Sequence, residues 1–236
     1  MGSFAKKVEK FWEVFYEHGG YTRVLTGLRN TFYIAVAGLV IGIIIGTIIA
    51  IIAVSPKYKR LPRILNRICR LYVGFFRGSP MVVQLLLFYF VLLPLFGSRM
   101  TPLSVCMLVF GLNSGAYVSE IMRGGIMSVD PGQMEAARAL GLSYWVSMLK
   151  VVVPQAVKNI IPTLGNEFIV LIKETSIVSF VGASDLYVAF SYIGSNTYEF
   201  MVPYLVMALI YIVLVAIIAL IVKMIERSLR KSDRRN

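Results

Sequence analysis

Long apolar stretches recur along the chain, separated by short polar or basic segments. Five of them reach or approach the roughly 20 residues that a helix needs to cross a bilayer. They run from near Thr31 to Val54, Leu71 to Leu95, Pro102 to Met122, Val153 to Val181, and Pro203 to Ile225. Pro154, Pro162 and Gly165 are expected to interrupt the fourth stretch, because proline removes a helix donor and glycine favours the coil. Ahead of the first, Phe4, Val8, Phe11, Trp12 and Phe15 fall at helical spacing. That spacing fits an amphipathic helix on the membrane surface, with a plain solvated leader as the alternative. In the first apolar stretch Gly38, Gly42, Gly46 and Ala50 are each four apart, so they form a smooth stripe along which another helix can approach.

Composition agrees with a membrane chain. Of 236 residues 58% are hydrophobic and only 15% are charged, which excludes an ordinary soluble domain. The expected fold is an all-α polytopic membrane protein with about five transmembrane helices and no second soluble domain. The net charge of +12 does not point to nucleic acid, because the basic residues sit between and after the apolar runs. Lys57, Lys59, Arg60, Arg63, Arg67, Arg70 and Arg77 lie near the first connection, and Lys223, Arg227, Arg230, Lys231, Arg234 and Arg235 in the tail. The positive-inside rule therefore places these segments and the 123–152 loop in the cytoplasm and the N-terminus outside. Lys6, Lys7 and Lys10, offset by Glu9, Glu13 and Glu17, oppose this only weakly.

Other chemistry is sparse. Cys69 and Cys106 fit neither a disulfide framework nor a zinc pattern, and His18 has no neighbouring ligand, so no metal site is expected. No nucleophile and base come together in sequence as a membrane enzyme would require, and residues 3–18, which mix charges with aromatics, are not expected to act as a cleavable signal.

The segment from Val129 to Pro154 has its own local grammar. Asp130 is placed to cap a helix, Pro131 takes the first helical position, and Gln133 completes a loose capping box. Glu135 falls in the first turn, where its charge suits the helix dipole. Gly141 is placed to end that helix and Ser143 to cap a second one from Tyr144 to Lys150. From these features alone the segment reads equally as a connecting surface helix or as a docking element.

Glu135-Ala136-Ala137, Gly141 after three intervening residues, and Val151-x-Val153-Pro154 after nine more resemble the EAA loop of ABC importer permeases. Arg77-Gly78-Ser79-Pro80 with Gln84-Leu85 resembles the RGTP-x-x-x-QL segment of the polar amino acid uptake subfamily. Asn113-Ser114-Gly115-Ala116-Tyr117 with Glu120, Ile121 and Arg123-Gly124, and Lys173-Glu174-Thr175-Ser176, resemble two further elements of that subfamily. The resemblance implies a type I importer transmembrane domain over residues 23–228, with an EAA coupling loop at 129–154, an N-terminal amphipathic segment at 1–22 and a basic tail at 229–236. It implies that Glu135, Ala136, Ala137 and Gly141 couple the chain to two copies of an ATP-binding subunit. It also implies a second permease copy or homologue, an external solute-binding protein and residence in the cytoplasmic (inner) membrane of a bacterium. The chain has no G-x-x-x-x-G-K-[ST] and no Gly-Lys pair, so ATP and Mg are expected on a partner and no cofactor on this chain.

Ionisable groups inside a span are costly and mark function. Glu167 is such a group in the fourth span. Gln84 on the second span, and Asn113, Ser114 and Tyr117 on the third, are expected at similar depth; Thr163 shares the helix face of Glu167. These residues are the candidate substrate path, while Glu120 and Arg123 are expected to pair nearer the cytoplasmic end. A carboxylate there leans the substrate toward arginine, lysine or histidine. Neutral polar or acidic amino acids, cystine, or a secondary transporter acting alone are the alternatives.

Overall fold

The computed structural model describes residues 2–56 and 60–233, so Lys57, Lys59, Arg234 and Arg235 of the basic segments, and the tail's last residues, lie outside the described residues. The described elements are helices. They are α1 (Gly2–Tyr16), α2 (Gly20–Val54), α3 (Arg60–Gly78), α4 (Met81–Leu95), α5 (Pro102–Met127), α6 (Pro131–Ala139), α7 (Tyr144–Val181), α8 (Leu186–Thr197) and α9 (Met201–Asp233). Three are long and apolar enough to cross a membrane: α2, α5 and α9. The number rises to five if the pairs α3 with α4 and α7 with α8 each count as one broken span.

Several boundaries differ from the hydropathy pattern. α2 begins at Gly20, eleven residues before its apolar stretch, because Arg23, Arg29 and Asn30 continue the helix into polar surroundings. The second stretch is not one helix. Pro80, extended at φ −63 and ψ 138, stands between α3 and α4; a residue preceding proline is pushed out of the helical region, so α3 stops.

The fourth stretch departs the other way. α7 runs through Pro154, Pro162 and Gly165 without a break. Pro94 in α4 and Pro154 in α7 each follow a π turn, Phe88–Leu92 and Met148–Val152. A π turn changes the local hydrogen-bond register, and the helix passes a residue that has no amide to give. Gly165 is a point of close approach rather than a loose joint: a Cβ there would strike the Val222 side chain. Beyond its π turn, the irregular part of α7 is its end at Thr175–Val181, a 3-10 segment closed by Gly182 at φ +76.

The chain divides into two compact units, each drawn from three stretches. Unit 1 comprises Met1–Gly38, Pro80–Phe110 and Val170–Ile217. Its core holds Phe11 and Val14 of α1 against Val24, Leu186, Phe190, Ile193 and Val202. α1 is thus packed on α8, with Phe4, Trp12 and Tyr16 left exposed. Lys7 and Glu199 pair at 2.9 Å across that contact. Asp185 caps α8 by accepting from the Val188 amide at 3.0 Å, and the Asn30 amide donates to the Ser184 carbonyl at 2.9 Å.

Unit 2 comprises Leu39–Ser79, Gly111–Ile169 and Ile218–Asn236. Glycines bring α2 and α5 together here from both sides. Cβ atoms at Gly42 and Gly46 would lie 2.6 Å from the Ser114 hydroxyl and a Val118 methyl, and those at Gly111 and Gly115 would crowd Ile41 and Ile45. Two of the four stripe positions, Gly42 and Gly46, therefore serve α2–α5 packing.

Candidate functional site

In unit 2, the α2–α5 contact fixes Ser114, which is fully buried. Its hydroxyl donates to Glu167 Oε1 at 2.9 Å. Glu167 is 8% exposed and has no lysine, arginine or histidine within ion-pair distance among the described residues. A carboxylate removed from water and answered by one neutral hydroxyl is electrostatically incomplete. A cation brought to it would gain both charge attraction and a directed hydrogen bond.

The other candidate residues take separate places. Asn113, buried beside Ser114, donates to the Phe76 carbonyl at 3.4 Å. Tyr117 is 38% exposed, and the Arg77 guanidinium lies over its ring at 5.5 Å. Arg77 also reaches Glu120 at 3.7 Å, and Arg123 holds the same carboxylate at 2.7 Å, so the expected Glu120–Arg123 pair is a triad. Thr163 is exposed and spends its hydroxyl on the Asn159 carbonyl at 3.0 Å. Gln84 belongs to unit 1, where it is 1% exposed and hydrogen-bonded or otherwise engaged.

The loop between α5 and α7 is also in unit 2. The Asp130 side chain accepts from the Gly132 amide at 2.8 Å, and Pro131 opens α6. Gln133 does not complete a capping box. Its side-chain oxygen accepts from Gln155 at 3.2 Å, which ties α6 to α7. Gly141 stands at φ +85, with its amide on the Arg138 carbonyl and that of Leu142 on Ala137, the paired bonds of a Schellman ending. The Ser143 hydroxyl accepts from the Val146 amide at 3.4 Å. Glu135, Ala136 and Gly141 face outward, whereas Ala137 is buried. Leu140 (84% exposed), Trp145 and Leu149 form an apolar surface beside them.

Three positions were not visible in the pattern. The Tyr144 hydroxyl donates to the Val54 carbonyl at 2.7 Å, linking the loop to the end of α2. The Asn159 amide donates to Ser128 at 2.8 Å, closing α7 on the end of α5. Asp185 is fully buried, and its second oxygen has no partner in hydrogen-bonding geometry among the described residues. No signal short of the fold announces such contacts. Among the described residues, no three His, Cys, Asp or Glu side chains gather as a metal site requires.

Residues 42–231 match the family described as "Binding-protein-dependent transport system inner membrane component". The chain belongs to that family. The permease is 40% identical over 210 residues to the arginine transport system permease protein ArtQ of Bacillus subtilis (strain 168), covering 89% of this chain and 94% of that one. It is 38% identical to the putative glutamine transport system permease protein GlnP of Rickettsia bellii (strain RML369-C), over 87% and 92% of the two chains. A crystal structure of an amino acid ABC transporter with histidines matches with a TM-score of 0.82 and 38% identity, over 90% of this chain and 97% of that chain. The methionine ABC transporter MetNI matches at 19% identity and a TM-score of 0.72, a likeness of fold. The permease is therefore a helical, multi-pass transport component of amino acid ABC transport rather than an enzyme, and ATP hydrolysis lies in a separate subunit.

Proposed function

We propose that this permease forms the translocation path for a cationic amino acid, with Glu167 receiving the substrate's positive charge. The observation that carries the proposal is the burial of Glu167 with Ser114 as its one identified partner and no cation beside it among the described residues. Relatives named for arginine and for glutamine are almost equally similar, so overall likeness does not select the substrate; the local charge does. Asn113 and Tyr117 share a face of α5 one turn apart; Asn113 is engaged with the Phe76 carbonyl and Tyr117 lies under Arg77, so their part in the path is to shape it around Glu167.

In this reading the permease sits in the cytoplasmic membrane of a bacterium with its arginine-rich ends inside and its N-terminus outside. A second permease copy or homologue, two ATP-binding subunits and an external solute-binding protein complete the transporter. The exposed Glu135, Ala136, Leu140 and Gly141 meet the ATP-binding subunit, while Ala137 packs the loop from beneath. Glu167→Gln in proteoliposomes with the partner subunits tests the proposal. The expected result is a loss of uptake and of substrate-stimulated ATP hydrolysis; unchanged values of both would refute it.

A further inference from the structure

α3 carries three kinds of surface. At roughly 100° per residue, Arg60, Arg63, Arg67, Arg70 and Arg77 fall in one sector of the helix. All five are exposed. Leu61, Ile64, Ile68, Leu71 and Phe75 fill the adjoining sector, and they too are exposed, Leu71 at 75%. Asn66, Val73, Cys69 and Phe76 turn inward.

Where the arginine sector meets the inward one, a cavity of about 300 Å³ opens within unit 2. Ile49 and Ala53 of α2 and Val73 of α3 form its apolar wall, and Asn66, Arg70, Glu120 and Arg123 supply its polar groups. Glu120 is already neutralised by Arg123 and Arg77. Arg70 makes no ion pair or hydrogen bond among the described residues, and neither does the Asn66 amide, although Asn66 is 8% exposed. The Asn66 amide opens onto the cavity beside the unpaired Arg70 guanidinium, so both can donate to a ligand there. Nothing in this cavity belongs to the path assigned to Glu167.

We propose that this cavity holds the phosphate of an anionic phospholipid, with Arg70 and Asn66 as its ligands and the apolar sector of α3 against the acyl chains. A free anion would use the guanidinium and the amide but not five exposed apolar side chains. A zwitterionic lipid offers the same chains without net charge. Only an anionic lipid matches the basic and the apolar sectors together, side by side on one helix.

The test is native mass spectrometry of the complete transporter released from nanodiscs. The nanodiscs contain equal phosphatidylglycerol and phosphatidylcholine. The expected result is preferential retention of phosphatidylglycerol, reduced about fivefold by Arg70→Gln, reduced by Asn66→Leu, and restored by Arg70→Lys. Equal retention of the two lipids, or no change in Arg70→Gln, would overturn the proposal. So would inorganic phosphate at millimolar concentration displacing the lipid, which would mark a soluble-anion site. A disulfide between two copies through Ile68→Cys, in a Cys69→Ser, Cys106→Ser background, would assign the apolar sector to a second permease and overturn it as well. Lipid retention is read without transport, so this result is independent of the role of Glu167.

Discussion

Gly42 of α2 lies so close to Ser114 of α5 that a Cβ would stand 2.6 Å from the serine hydroxyl, and that hydroxyl is the one bound to Glu167. A bare patch of backbone thus sets the position of the donor that meets the buried acid. Gly42→Val is expected to destabilise the permease by about 1–3 kcal/mol through overpacking. It should also push Ser114 off Glu167. Gly74, with nothing within 4 Å of its Cβ position, is the control, and Gly74→Ala should be neutral or slightly stabilising. Thermal unfolding of the detergent-solubilised transporter measures both.

Gly141 is a different kind of glycine. Nothing crowds it, yet its φ of +85 suits few side chains. Gly141→Ala is expected to cost about 1–3 kcal/mol in local strain and to fray the end of α6. Asn, which tolerates this region better, should do less harm. Assembly with the ATP-binding subunit should persist while substrate stimulation of ATP hydrolysis falls, which gel filtration and an ATPase assay distinguish.

The Tyr144–Val54 hydrogen bond ties the loop directly to α2. Tyr144→Phe removes the hydroxyl alone and is expected to cost about 1 kcal/mol. Hydrogen exchange should rise at the loop, from Tyr144 onward, and leave α1 unaffected.

Within unit 1, the packing of α1 carries an acid-sensitive pair. The hydrogen bond from Lys7, helped by the Met201 amide and the nearby charge, holds the Glu199 carboxyl below its usual value of 4.5. A depressed carboxylate contributes stability above its unfolded pKa and loses it as pH falls through the folded one. Docking of α1 should therefore be insensitive to pH near neutrality and weaken only in acid, below the usual carboxylate range. Lys7→Ala should shrink that acid step, with the Met201 amide and Lys10 still acting on Glu199, as followed by Trp12 fluorescence.

The apolar stretches, the caps at Asp130 and Ser143 and the stop at Gly141 were legible in the sequence, because each depends on residues within one helical turn. Family resemblance extended that reading to the chain as a whole. Pro162 and Gly165 were misread because a glycine that loosens a helix looks the same as one that admits a neighbour; only Val222, fifty-seven residues on, separates the two. The break at Pro80 carries a local signal in Arg77-Gly78-Ser79, but the apolar runs beyond it on both sides made one continuous stretch of the hydropathy pattern. Ser114 and Glu167 were each visible as polar groups in a span, but their meeting depends on which helices pack together, and periodicity does not encode that. The inward position of Ala137 was hidden for the same reason.

The central claim is that Glu167 binds the substrate's cationic group. Equilibrium binding of radiolabelled arginine and glutamine to the purified transporter, without the solute-binding protein, tests it most directly. Wild type should prefer arginine, and Glu167→Gln should weaken arginine binding by about tenfold or more, as loss of a buried charge partner does, while sparing glutamine. Equal arginine affinity in wild type and Glu167→Gln would contradict the account.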